Sequence, residues 1–179
     1  MNNKQNDKTY FEKLKPWIGT LVILPLACYY TLNRGQFTFI DYINLLIHEG
    51  GHGIFKFFGK FIYTLGGTLM QIIIPGMFVV FYMIKKKKIM SQLFLIWLGQ
   101  NLINISVYAA DARAKKLPLL GGNKVYHDWN WLLTQTGLLE YDGFVGNTFF
   151  AFGVISFLFA LVIPLILKEE QMAELNLPL

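Results

Sequence analysis

Two histidines stand four residues apart, with a glutamate directly after the first, in His48-Glu49-Gly50-Gly51-His52. On an α-helix this spacing puts both imidazoles on nearly the same face, about one turn apart, where they can share one metal ion. Glu49 is turned by about 100° from His48 and lies beside the open position of such a centre. From there it can take a proton from a water that the metal activates. Zinc is the ion that this chemistry suggests, and a catalytic zinc usually has three protein ligands, leaving a fourth position for water. The single cysteine, Cys28, leaves no CxxC pair, so the third ligand must be His, Asp or Glu.

Two residues compete for that place. His127 is the only other histidine and opens the polar pair His127-Asp128. It is the first choice on side-chain chemistry, with Asp128 as an outer partner that orients it. The alternative is Asp111, which continues a stripe of Asn101, Asn104 and Tyr108 at three- and four-residue steps. Non-metal roles for the two are an interfacial histidine beside Trp129 and a helix-end carboxylate paired with Arg113. Asn104 is expected as an outer partner of the ligands, and Gln71 either hydrogen-bonds a ligand or a substrate backbone or makes an ordinary interhelical hydrogen bond.

The surroundings give the motif its weight. Asp41, Asn44, His48 and His52 form a polar stripe on an otherwise apolar segment. An ionisable group within a bilayer costs at least about 2.5 kcal/mol, so such groups persist mainly where a partner or a function holds them. The stripe therefore needs something polar to face, either a metal or a structural contact.

The elements that must position these residues follow from hydropathy. The 179 residues are 54% hydrophobic, 16% aromatic and 15% charged, and the charges are clustered. About 20 apolar residues in a helix span a hydrocarbon layer of about 30 Å. Segments at about 16–32, 37–58, 61–84, 89–110 and 146–167 meet or approach that length. The fold class is all-α, a polytopic membrane bundle of about five helices forming one domain over residues 1–179. Between the fourth and fifth helices lies a long apolar, aromatic stretch, read as a loop partly embedded in the membrane. Gly50, Gly51 and Gly53 thin the second helix, Gly66 and Gly67 thin the third, and the two are expected to touch.

The net charge of +5 could suggest nucleic acid, but Lys4, Lys8, Lys13, Lys15, Lys85–Lys88, Arg113, Lys115 and Lys116 flank the apolar runs. Basic residues there meet lipid headgroups, so membrane lipids are the expected partners and nucleic acid is not. The stretch Leu24-Pro25-Leu26-Ala27-Cys28 imitates a lipoprotein cleavage site, yet Pro25 occupies the place of its leucine, and an uncleaved first helix is expected.

The segment Ile47-His48-Glu49-Gly50-Gly51-His52-Gly53, on an apolar helix followed by a glycine-containing one, resembles the active-site helix of the site-two protease family of intramembrane zinc metalloproteases. The resemblance implies zinc held by two histidines and a distant aspartate, with the motif glutamate as general base. His48 and His52 would be ligands, Glu49 the base, and Asp111, with Asn101 and Asn104 before it, would match the family's asparagine-then-aspartate element. That family usually presents its aspartate in an Asp-Gly context, whereas this chain reads Ala110-Asp111-Ala112. The chain also resembles small bacterial membrane proteins that combine an HExGH helix with Ala-Asp-Ala-Arg-Ala, Leu-Pro-Leu-Leu-Gly-Gly and His-Asp-Trp. That likeness covers most of residues 44–139, carries no known activity, and singles out Asp111, His127 and Asp128.

Together these features lead to a zinc-dependent intramembrane hydrolase, in the first place a peptidase acting on a transmembrane peptide, in a bacterial cytoplasmic membrane. Hydrolysis of a lipid amide or ester is the alternative within the same chemistry. A metal-binding membrane subunit without catalysis is the alternative outside it.

Overall fold

A segment surrounded by lipid must satisfy its backbone hydrogen bonds internally, and a helix does so within one stretch of chain. The computed structural model describes residues 17–118 and 127–167. Within them the chain is all-helical, as its apolar runs require. The helices are α1 (Ile18–Leu32), α2 (Phe39–Phe55), α3 (Gly59–Ile84), α4 (Lys88–Ala110), a short α5 (Asp128–Gln135) and α6 (Asp142–Ile166). Single 3-10 turns at Lys56–Phe58 and Leu139–Tyr141 lead into α3 and α6.

These include the five anticipated helices, with shifted ends. The third begins at Gly59, whose φ of +83° suits the sharp turn after α2. The last begins at Asp142 rather than near 146, because Asp142 anchors its first turn by accepting the Arg113 backbone N–H and guanidinium. The long connection before it contains α5. Residues 119–126, which carry most of the Leu-Pro-Leu-Leu-Gly-Gly motif, lie outside the described residues, as do the lysines before residue 17 and the charged tail after residue 167.

Three helical stretches are long and apolar enough to cross a membrane: Phe39–Ile84, which holds α2 and α3, then Lys88–Ala110, and Leu139–Ile166. Burial is distributed as lipid would demand. Leu21, Leu46, Ile84 and Leu165 point outward, while Asn44, Gln92, Asn101 and Ser106 are fully buried.

α4 is the central helix, packed by α1, α3 and α6. Small residues let α4 and α6 approach: a Cβ on Gly99 would meet the Phe157 ring at 2.4 Å, and one on Gly146 would meet the Ser106 carbonyl oxygen at 2.6 Å. Ile23, Leu95, Ile103, Phe157 and Ile163 fill the seam among α1, α4 and α6.

α2 and α3 run antiparallel beside each other, with His48 next to Gly67 and His52 next to Tyr63. The glycines make this possible at Gly51, Gly66 and Gly67, while Gly50 and Gly53 face open space.

The polar stripe of α2 faces a second polar stripe on α4. Asp41 reaches back to the Thr38 backbone N–H at 2.7 Å and accepts from Gln100 at 2.6 Å and Asn104 at 2.9 Å. Asn44 donates to Gln100 and accepts from Trp97 Nε1 at 2.9 Å. Each buried polar group here has partners, which is the condition for its burial.

The closest backbone approach yields a test. Gly51→Ala would put a Cβ 2.2 Å from the Gly66 carbonyl oxygen, whereas Gly50→Ala meets nothing within 4 Å. Gly51→Ala should lose about 1–3 kcal/mol of stability. Unfolding of the detergent-solubilised protein, with Gly50→Ala as the unaffected control, checks this.

Candidate metal centre

His48 and His52 lie one turn apart on α2, their rings edge to face with centroids 4.9 Å apart. Each imidazole is fixed through its outer nitrogen. His52 Nδ1 donates to the Tyr63 carbonyl oxygen on α3 at 2.8 Å. A backbone carbonyl only accepts, so this nitrogen must carry its proton. His48 Nδ1 meets the Gln71 side-chain oxygen at 2.9 Å. Gln71 is oriented by donating its own NH2 to Asn104 at 3.2 Å and Asn101 at 3.4 Å.

With both Nδ1 atoms committed, both Nε2 atoms turn the other way, towards a single oxygen. Asp128 Oδ2 is 3.0 Å from His48 Nε2 and 3.2 Å from His52 Nε2. If each Nδ1 holds the ring proton, each Nε2 presents a lone pair. Two lone pairs and a carboxylate oxygen then converge on one point, which is stable only with positive charge between them, from protons or from a cation. Bonds of about 2.0–2.1 Å to a tetrahedral zinc would set donor atoms about 3.3 Å apart, close to the separations found. Among the described residues, His48, His52 and Asp128 are the group of His, Cys, Asp or Glu donors near enough to share an ion. Burial alone would raise the Asp128 carboxyl, but its contacts with His48 and His52 outweigh that and hold it below the ordinary value.

This geometry differs from the sequence-based assignment of the third donor. Asp128, expected as an outer partner, is the residue beside both imidazoles, and neither His127 nor Asp111 joins the group. Adjacent residues at a helix start point in different directions. His127 is the N-cap of α5, its Nδ1 accepting the Asn130 backbone N–H at 3.3 Å, and its ring lies against Tyr108 at 4.2 Å between centroids. Burial lowers the His127 imidazole below its ordinary pKa, opposed in part by Asp111. Its Nε2 faces Asp111 Oδ2 at 3.5 Å, too long for a good hydrogen bond.

Asp111 is occupied elsewhere. It accepts the backbone N–H groups of Lys116 at 3.0 Å and Leu117 at 2.9 Å, shaping the chain just after α4. Arg113 pairs with Asp142 and Glu140 rather than with Asp111. Tyr63 offers its backbone carbonyl, which no side-chain motif could have announced.

The donor atoms line one wall of a cavity of about 550 Å³ between α2, α3 and α4, bounded also by Tyr30, Phe37, Ile103, Val107 and Pro118. Glu49 lines the same cavity, is exposed to it, and has no hydrogen-bond partner among the described residues. Comparison with protein-family models, curated proteins and solved structures finds no match.

Three outcomes test the centre. Asp128→Ala should weaken zinc binding by more than the ~10–100-fold typical of losing an outer partner, while Gln71→Leu should fall within that range. Asp111→Asn, which alters no donor of the group, should retain one zinc per chain. Metal analysis and competition with a zinc chelator on the purified protein measure all three.

Proposed function

We propose that the protein is a zinc-dependent membrane hydrolase that cuts peptide bonds, with His48, His52 and Asp128 as zinc ligands and Glu49 as general base. One observation carries this reading: both Nε2 atoms are aimed at the same carboxylate oxygen while both Nδ1 atoms are tied to carbonyl oxygens. Ligating histidines are commonly held this way, with the outer N–H given to a carbonyl or carboxylate that fixes the tautomer.

When bound, zinc would lower the pKa of a water and polarise a carbonyl. The remaining work falls to the chain. Glu49 follows the first ligand on the helix, is unpaired, and opens onto the cavity, which suits a base that takes a proton from water and passes it to the leaving nitrogen. Gln71 and the Tyr63 carbonyl oxygen take the hydrogen bonds of the two Nδ1 atoms, leaving the Nε2 atoms for the metal, and prevent rotation of the rings. The cavity has room for a short extended segment, with apolar walls at Phe37, Ile103 and Val107 for side chains and polar groups at Gln100 and Asn104 for backbone.

Glu49→Gln is the deciding substitution. It should leave one zinc per chain and lower the hydrolysis of a casein substrate in detergent micelles by roughly 10²–10⁴-fold. Unchanged hydrolysis would remove the catalytic role, and zinc binding without any hydrolysis by the wild type would leave a metal-binding membrane subunit. A zinc chelator should abolish the wild-type activity, and added zinc should restore it.

A further inference from the structure

Tyr108 stands in the cavity wall beside Glu49 and the three donor residues. Its ring meets His48 at 5.8 Å between centroids and His127 at 4.2 Å, so it is held by neighbours on both sides. Its hydroxyl oxygen accepts the backbone N–H of Asp128 at 3.0 Å. That bond uses a lone pair and leaves the phenolic proton free. Among the described residues the acceptor beside that proton is the Asp128 carboxylate, a group that a bound cation would draw to itself, leaving the O–H for a substrate oxygen.

Resting on the hydrolase reading, we propose that Tyr108 is a catalytic residue whose O–H donates a hydrogen bond to the substrate carbonyl oxygen as that oxygen becomes negative. Water oxygen bonds to the carbonyl carbon while the C=O pair moves onto oxygen, and Glu49 takes the proton that water releases. The pair then returns, the C–N bond breaks, and Glu49 delivers its proton to the departing nitrogen. The Tyr108 proton stays on Tyr108 throughout, so the step balances without a further reactant. A donor already fixed in place and already accepting an N–H suits this task, because it needs no reorientation as charge develops and its O–H is polarised.

The competing role is that the hydroxyl merely holds Asp128. Tyr108→Phe separates the two, since it keeps the ring contacts and removes the oxygen. Three measurements are made on the full chain in detergent: zinc content, the kinetics of casein hydrolysis, and calorimetric binding of a phosphinic-acid tripeptide whose P–O group imitates the charged oxygen. The variant should keep its zinc, lose about 10²–10³-fold in kcat with little change in KM, and bind the phosphinate correspondingly more weakly. A variant that keeps zinc, kcat and phosphinate affinity overturns the proposal. So does one that loses zinc, because the hydroxyl then serves Asp128 alone. Should zinc-loaded wild type neither cut casein nor bind the phosphinate, the hydrolase reading itself fails, which the Tyr108→Phe comparison cannot mimic.

Discussion

The centre depends on where two imidazole protons go. The Tyr63 carbonyl and the Gln71 amide each take one at Nδ1, and this turns the Nε2 atoms inward. A histidine whose Nδ1 pointed to lipid would have no such acceptor, and burying it unpaired would be costly. Both acceptors belong to α3, so α3 must lie directly against α2. That proximity requires the absence of side chains at Gly51, Gly66 and Gly67, where an added Cβ would strike backbone or the His48 ring. Gln71 depends in turn on Asn101 and Asn104, which brings α4 into the same arrangement. Three helices are thus fixed by the orientation of two rings.

Asp128 completes the group from a different part of the chain, 80 residues from His48 in sequence. Its placement rests on the first turn of α5, where His127 caps the helix, Tyr108 accepts the Asp128 N–H, and Asn130 donates to the Ala112 carbonyl at 2.9 Å. The described part of this connection around α5 is therefore packed onto α4, with Trp129 and Leu132 beside Ile105 and Ala109.

Much of this was legible in the sequence for physical reasons. Long apolar runs ended by lysines or glycines leave little choice but helices, and a stripe of Asp41, Asn44, His48 and His52 in such a run must face polar groups. The glycine contact could be anticipated because Gly51 and the Gly66-Gly67 pair are the places where two apolar helices can touch. The direction taken by His127 and Asp128 was not legible. α5 has only eight residues, too few to reveal a period, and neighbours at its start diverge by about 100°. Nor could residue types identify a backbone carbonyl as the partner of His52, or predict that Arg113 would reach across 29 positions to Asp142.

The turn between α2 and α3 has one more consequence. Lys56 lies over the Phe57 ring and Lys60 over the Trp131 ring, each at 4.9 Å, and Phe57 and Phe58 are exposed there. Lysines and aromatic rings grouped in this way are what a bilayer surface selects. At about 1.5 Å of rise per residue, His52 and His48 sit only about 5 and 10 Å before the end of α2 at Phe55. The hairpin would thus act as a depth gauge: with its turn at a bilayer surface, both imidazoles would lie on that side of the midplane of a hydrocarbon layer about 30 Å thick, His52 nearer the surface than His48.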